Sequence, residues 1–372
     1  MLRICAMLMI IGHHYVLRNY SFNLQDQPFS LEQFSYLCIY SLGKIGVACF
    51  FMISAWYLCL EKDPQVRISL RRTWILEREV LFYSLGLLMV LFILNPSTIS
   101  KKDVLKSFIP TASGLWWYVT AYVIFLFFCP FITKGLRCIG KNLHASLCLI
   151  MLIMWGIVYG LLPGALFGLS TEGFIDFIYI YIIIAFYRWY MDDWGLSKAW
   201  FLIGGGTAIL LSSIALLQSF GTVLHIPSLR THSTYLAASC VRLPVLLIAL
   251  GLIILAHSAH WRSSIINAIA STTFGVYLIH DYPPVSKLLW DKWFKLSSIY
   301  DSPYALLYSL AIIFFVFSIC MVIDFLRQCI FKITIDRHAG KWFVGLSTWI
   351  SERRLINRLQ TAVMKSPSSD KS

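Results

Sequence analysis

Long apolar runs separated by short polar clusters dominate this chain to beyond residue 330. Ten of them read as helical segments: residues 2–18, 35–60, 75–95, 115–133, 146–163, 173–189, 200–220, 236–257, 268–285 and 304–330. A run of about 20 residues with few charges is what a helix needs to cross the hydrocarbon core of a bilayer. Such a helix satisfies its own backbone hydrogen bonds, which lipid cannot do for it. The pattern therefore predicts an all-α polytopic membrane bundle of about ten transmembrane helices. A transmembrane β-barrel would show short alternating strands, which are not seen here. Two of the segments are interrupted, the sixth by Asp176 and the ninth by His280, Asp281, Pro283 and Pro284.

The polar residues inside these runs carry most of the information. In the first segment, eleven helical steps bring His14 back to within roughly 20° of the direction of Arg3, about 16 Å further along the axis. His13 points roughly 80° away from that line. An imidazole at this depth should face the bundle interior or a wet cavity, and His14 is a candidate catalytic base. In the second segment, Gly43 and Gly46 allow close helix approach. Lys44, between them, is either a functional intramembrane cation or a side chain that snorkels to the outer surface. Ser54 reads as a packing hydroxyl rather than a nucleophile, since no base is placed beside it.

Composition sharpens the class. Of 372 residues 58% are hydrophobic and 13% charged, with mean hydropathy +0.72; a soluble domain carries about 25% charged residues. The excess spans the whole length, so residues 1–330 are expected to form one membrane domain. Residues 331–372 are expected to be a basic cytoplasmic tail. Its part 341–364 could form an amphipathic helix presenting Trp342, Phe343, Trp349 and Ile350 to headgroups, and its last eight residues look disordered. The net charge of +13 follows membrane topology and does not indicate nucleic acid. With both termini cytoplasmic, 21 of the 31 lysines and arginines fall inside and 8 outside. The basic 95–114 loop, placed outside, is a mild exception. The first run lacks the cleavage pattern of a signal peptide. The ten cysteines lie mostly in apolar runs without metal-ligand spacing, so neither a metal nor a disulfide framework is expected.

Further candidates follow in order. Arg67, Arg71, Arg72 and Arg78 form a dense basic block, with Arg71 and Arg78 near one helical face. Such a cluster suits the phosphates of a nucleotide-bearing donor. An ordinary positive-inside loop would explain most of it, though not Arg78, which lies in an apolar run between Glu77 and Glu79. Trp116, Trp117 and Tyr118 belong either to an aromatic belt or to the wall of a sugar-binding cavity. Tyr277 and His280 share a helical face; His280 is either a polar core group or a direct participant. No Walker A, G-x-G-x-x-G, G-x-S-x-G or H-E-x-x-H motif occurs.

Four stretches together resemble the membrane-bound acyltransferase 3 family, ten-helix bacterial enzymes that O-acylate surface glycans. They are Arg3-x10-His14; Lys44-Ile-Gly-Val-Ala-Cys-Phe-Phe-Met-Ile-Ser54; Trp117-Tyr118-x3-Tyr122 followed by Pro130; and Phe274-Gly-Val-Tyr-Leu-Ile-His280. The resemblance implies transfer of an acetyl group from acetyl-CoA to a glycan or lipid-linked sugar hydroxyl, in a multi-pass bacterial inner-membrane protein. It implies that His14 is the essential base, Arg3 its partner on the donor side, and the arginines at 71–78 holders of acetyl-CoA. Lys44, Ser54 and Tyr118 are candidates to stabilise the oxyanion. The family's Ser-Gly-aromatic is Ser54-Ala55-Trp56 here, and a glycine expected near Ala185 is missing. No esterase-like domain of the kind some relatives append follows, so transfer is expected to rest on the membrane domain alone. A transporter or flippase of a glycan or acidic metabolite would account equally for Lys44, Arg242 and His280. It would predict matched inverted repeats with broken spans, and only the ninth segment looks broken.

Overall fold

The computed structural model describes residues 1–19, 22–161, 173–259, 263–336 and Gly345. The expected tail helix at 341–364 lies outside these residues apart from Gly345. Among the described residues the protein is all-helical, with no strand. The main helices are α1 (Leu2–Leu17), α2 (Leu31–Leu58), α3 (Val66–Leu94), the short α4 (Lys101–Phe108) and α5 (Trp117–Met151). They continue with α6 (Phe174–Tyr190), α7 (Leu196–Val223), α8 (Leu243–Ser258), α9 (Ser264–Ser271), α10 (Thr273–His280) and α11 (Ala305–Ile333). Four helical stretches are long and apolar enough to cross a membrane: Leu31–Leu58, Trp117–Val158, Leu196–Val223 and Ala305–Ile333. Shorter apolar helices cover Leu2–Leu17, Leu243–Ser258 and Ser264–His280.

One difference from the sequence pattern concerns the segments at 115–133 and 146–163. Helix continues through the polar residues between them, and the break is at Gly140, with φ 72° and ψ 179°. That left-handed φ suits a residue without Cβ. The polar stretch is tolerated because Arg137 donates to the carbonyls of Lys62 (2.7 Å) and Glu61 (2.6 Å). Trp189 Nε1 donates to Cys59 in the same loop, at 2.9 Å. At the other end of the bundle Arg230 donates to the Gln27 carbonyl at 2.7 Å. There too the Ser107 and Tyr282 hydroxyls bond at 2.8 Å, and Asn19 Oδ1 accepts from Leu296 N at 2.7 Å.

Helix starts show ordinary chemistry. The Ser30 side chain accepts from Gln33 N to cap α2, and Ser100 and Asp103 form a reciprocal capping box on α4; each such cap is worth about 1 kcal/mol. The centre of the bundle is α1, which touches α2, α8, α9, α10 and α11. Gly46 makes the α1–α2 approach possible, since a Cβ there would stand 2.6 Å from the Ala6 carbonyl. Behind α2, Phe51 stacks on Phe177 at 4.1 Å. At the Ser54-Ala55-Trp56 departure Ala55 is fully buried and Trp56 nearly so. Trp56 is covered by the Arg188 guanidinium at 4.4 Å and packs on Tyr187 and His257.

A buried polar network locks α10 in place. Asp324 of α11, fully buried, accepts from Tyr83 (2.6 Å), Arg327 (2.7 Å) and Gln328 (2.7 Å). Arg327 also pairs with Glu79 at 3.2 Å. Gly275 of α10 lies against the Asp324 carboxylate so closely that any Cβ would overlap it. Every carboxylate here has a cation or hydroxyl donor, which is the condition for tolerating buried charge.

Candidate active site

Two helix ends converge on one imidazole. His14, 7% exposed, sits in the last turn of α1, and its Nδ1 lies 3.0 Å from Nε2 of His280 at the end of α10. His280 Nδ1 is 2.6 Å from the carbonyl of Val276, one turn back on its own helix. Asp281 follows directly, its Oδ1 3.7 Å from His14 Nδ1. Arg18, four residues after His14 and so on the same face of α1, donates to Asp281 Oδ1 at 2.8 Å. Asp281 is nearly inaccessible to solvent, at 5%, and this pairing compensates its charge.

His14 opens on a cavity of about 460 Å³. Its polar lining comes from His13, His14, Arg18, Tyr40, Lys44, Trp117, Tyr118 and Tyr277, with apolar residues such as Val47 and Phe50 between them. Among the described residues no carboxylate lines it. Lys44 projects into the wall, its Nζ 5.0 Å from the centroid of the Trp117 ring, which is within cation–π range. His13 Nδ1 donates to the Tyr40 carbonyl at 2.5 Å. Aromatic faces and cations around one imidazole can hold a polar, ring-shaped molecule and develop charge on it.

A second cavity, of about 470 Å³, lies at the other end of α1. Arg3 lines it together with Trp56, Tyr57, His257, Asn267 and Ser271. Helical register thus places Arg3 and His14 on one face of α1, and the axial distance of about 16 Å assigns them to different cavities.

The remaining candidates are dispersed. Ser54 does not line the His14 cavity. Arg71 is exposed. Arg72 pairs with Glu61 at 2.8 Å, and Arg78 with Asp336 at 3.0 Å. These arginines therefore do not form one cluster: Arg72 turns toward the α2–α3 loop and Arg78 toward the end of α11. Conversely, Asp281, Arg18, His13 and Tyr40 belong to the site and were not among the site candidates read from the sequence. The local signals were the i, i+4 spacing of His14 and Arg18 and the adjacency of Asp281 to His280. The pairing across 263 residues has no signature in a single sequence.

Searches among curated proteins and among solved structures return no match. A family model described as "Acyltransferase domain" matches residues 1–325, most of the chain and all the residues that build the two cavities. With a buried imidazole on α1 facing a cavity lined by cations and aromatic rings, this protein belongs to the membrane-bound acyltransferase 3 family.

Proposed function

We propose that this membrane acyltransferase is an O-acetyltransferase of a bacterial inner membrane, multi-pass with both termini cytoplasmic. It moves an acetyl group from acetyl-CoA to a hydroxyl of a surface or exported glycan, with His14 as general base. The observation that carries the proposal is the placement of His14 on a cavity at one end of α1, with the Arg3 cavity at the other. The first turns of α3, which carry Arg71 and Arg72, lie on the Arg3 side by charge. Donor phosphates would engage Arg3, Arg71 and Arg72 there, and Arg78 by exchange of Asp336 for phosphate, through charge-assisted bonds. The acceptor sugar would enter the His14 cavity, where Trp117 and Tyr277 offer ring faces.

In the chemical step His14 takes the proton of the acceptor hydroxyl as its oxygen bonds to the thioester carbon. The tetrahedral intermediate collapses with cleavage of the C–S bond, and the proton passes from His14 to the departing sulfur. The products are the O-acetyl ester and the CoA thiol. General-base assistance of this kind is typically worth 10²–10⁴-fold. Lys44 and the Tyr118 hydroxyl, both in the cavity wall, are the donors placed to meet the oxyanion.

Membranes bearing the wild-type chain, given radiolabelled acetyl-CoA and polysaccharide from a deletion strain, should transfer label to the polysaccharide. That label should be released as acetate by mild alkali, as an ester requires. Absence of alkali-labile label would refute O-acetyl transfer from this donor.

A further inference from the structure

The hydrogen bonds around His14 determine where its protons sit. The Val276 carbonyl can only accept, so His280 Nδ1, 2.6 Å away, carries a proton. In a neutral imidazole the second nitrogen is then an acceptor. His280 Nε2 is that acceptor, 3.0 Å from His14 Nδ1, so the shared proton belongs to His14 Nδ1. The lone pair of His14 is left on Nε2, and no hydrogen bond from a described residue occupies it. A general base needs that arrangement: one nitrogen anchored through its N–H, the other bare toward the reacting hydroxyl.

We propose that His280 is the positioning residue that holds His14 in its Nδ1–H tautomer, and that Asp281, fixed by Arg18, is the counter-charge for the imidazolium formed during transfer. The proposal rests on the reading of His14 as the base. The chain of contacts starts from a backbone carbonyl, which cannot change its role, and so leaves one proton arrangement for two neutral rings. Asp281 adds the charge that a backbone carbonyl lacks. Its Oδ1 is 3.7 Å from His14 Nδ1, near enough to favour the positive ring, while the 2.8 Å bond from Arg18 keeps it from turning in to displace His280. Neither His280 nor Asp281 lines the cavity, so both act through His14.

Nitrogen NMR of histidine-labelled full-length protein in lipid nanodiscs tests the tautomer without reference to activity. The resonances lost in His14→Asn identify His14. They should report a protonated Nδ1 and a bare Nε2; a His14 protonated on Nε2 in the wild type overturns the proposal. Acetyl transfer supplies the second arm. His280→Gln keeps an acceptor oxygen for His14 Nδ1 and should retain kcat within about tenfold, whereas His280→Leu should lose about 10²-fold or more with KM unchanged. Asp281→Asn should also lower kcat and spare KM. Equal rates for the Gln and Leu variants overturn the proposal, whether both are active or both inactive. Where His280→Leu fails to accumulate, the wild-type spectrum decides alone. A wild type that transfers no acetyl group removes the functional reading and leaves the tautomer result standing.

Discussion

Substituting Gly46 by alanine should disable transfer from a position that touches no substrate. The new Cβ would stand 2.6 Å from the Ala6 carbonyl oxygen, 3.0 Å from Ile10 Cγ1 and 3.1 Å from Met9 Cβ. Ile10 Cγ1 can rotate away, but the Ala6 carbonyl and Met9 Cβ are fixed to the backbone of α1 and move only with that helix. Restoring an ordinary contact of 3.4 Å requires roughly 0.8 Å of separation. His14 lies eight residues beyond Ala6, about 12 Å along the same rigid helix, so it inherits most of the displacement. The contact between His14 and His280, 3.0 Å long, is then pushed off the narrow distance and angle that a hydrogen bond requires. Overpacking of this kind costs about 1–3 kcal/mol, and a 1 Å misplacement of a catalytic group costs on the order of 10²-fold in rate. Gly46→Ala should therefore reach the membrane in normal amount and transfer acetyl about 10²-fold more slowly. Gly86→Ala, where a Cβ meets nothing within 4 Å, is the control. An unchanged initial rate for Gly46→Ala at equal membrane expression would refute the claim that the α1–α2 contact positions His14.

Other substitutions separate stability from chemistry. Arg18→Gln leaves the buried Asp281 carboxylate short of a partner and should cost about 2 kcal/mol, less than a fully buried pair because Arg18 is itself 30% exposed. Thermal unfolding in detergent should show that loss, and the double variant Arg18→Gln with Asp281→Asn should recover part of it. Trp117→Ala removes the ring beneath Lys44 and with it about 1 kcal/mol of cation–π interaction. If the acceptor lies on that face, KM for polysaccharide should rise several-fold with kcat retained; an unchanged KM would take Trp117 out of the acceptor site.

Much of the fold was legible because membrane helices announce themselves by length and hydropathy. Among the described residues helix covers most of each predicted apolar segment, except that 236–242 is a short turn before the helix begins at Leu243, and the glycines at 43 and 46 mark a close approach that the structure contains. The continuity of helix from Trp117 past Arg137 was not legible. Its polar stretch resembles a loop, and what stabilises it is a set of carbonyls in the α2–α3 loop, far away in sequence. The same limit applies to the site. Periodicity put Arg3 and His14 on one face, yet a face says nothing of which cavity each side chain reaches. Arg78 read as one member of a basic cluster, and its partner Asp336 lies 258 positions later. His280 and Asp281 stood out as oddities in an apolar run, but the geometry that makes them neighbours of His14 depends on how α10 is held. That anchor is the Asp324 carboxylate against the bare backbone of Gly275, two positions that no local pattern links.

The most direct test of the account is the acetyl content of surface glycans, read by proton NMR of polysaccharide from a deletion strain complemented with wild type or with His14→Ala. The acetyl signal should return with wild type and stay absent, or at least 10²-fold lower in rate, with His14→Ala at equal membrane expression. Equal restoration of acetylation by both forms would contradict it and make His14 a structural residue.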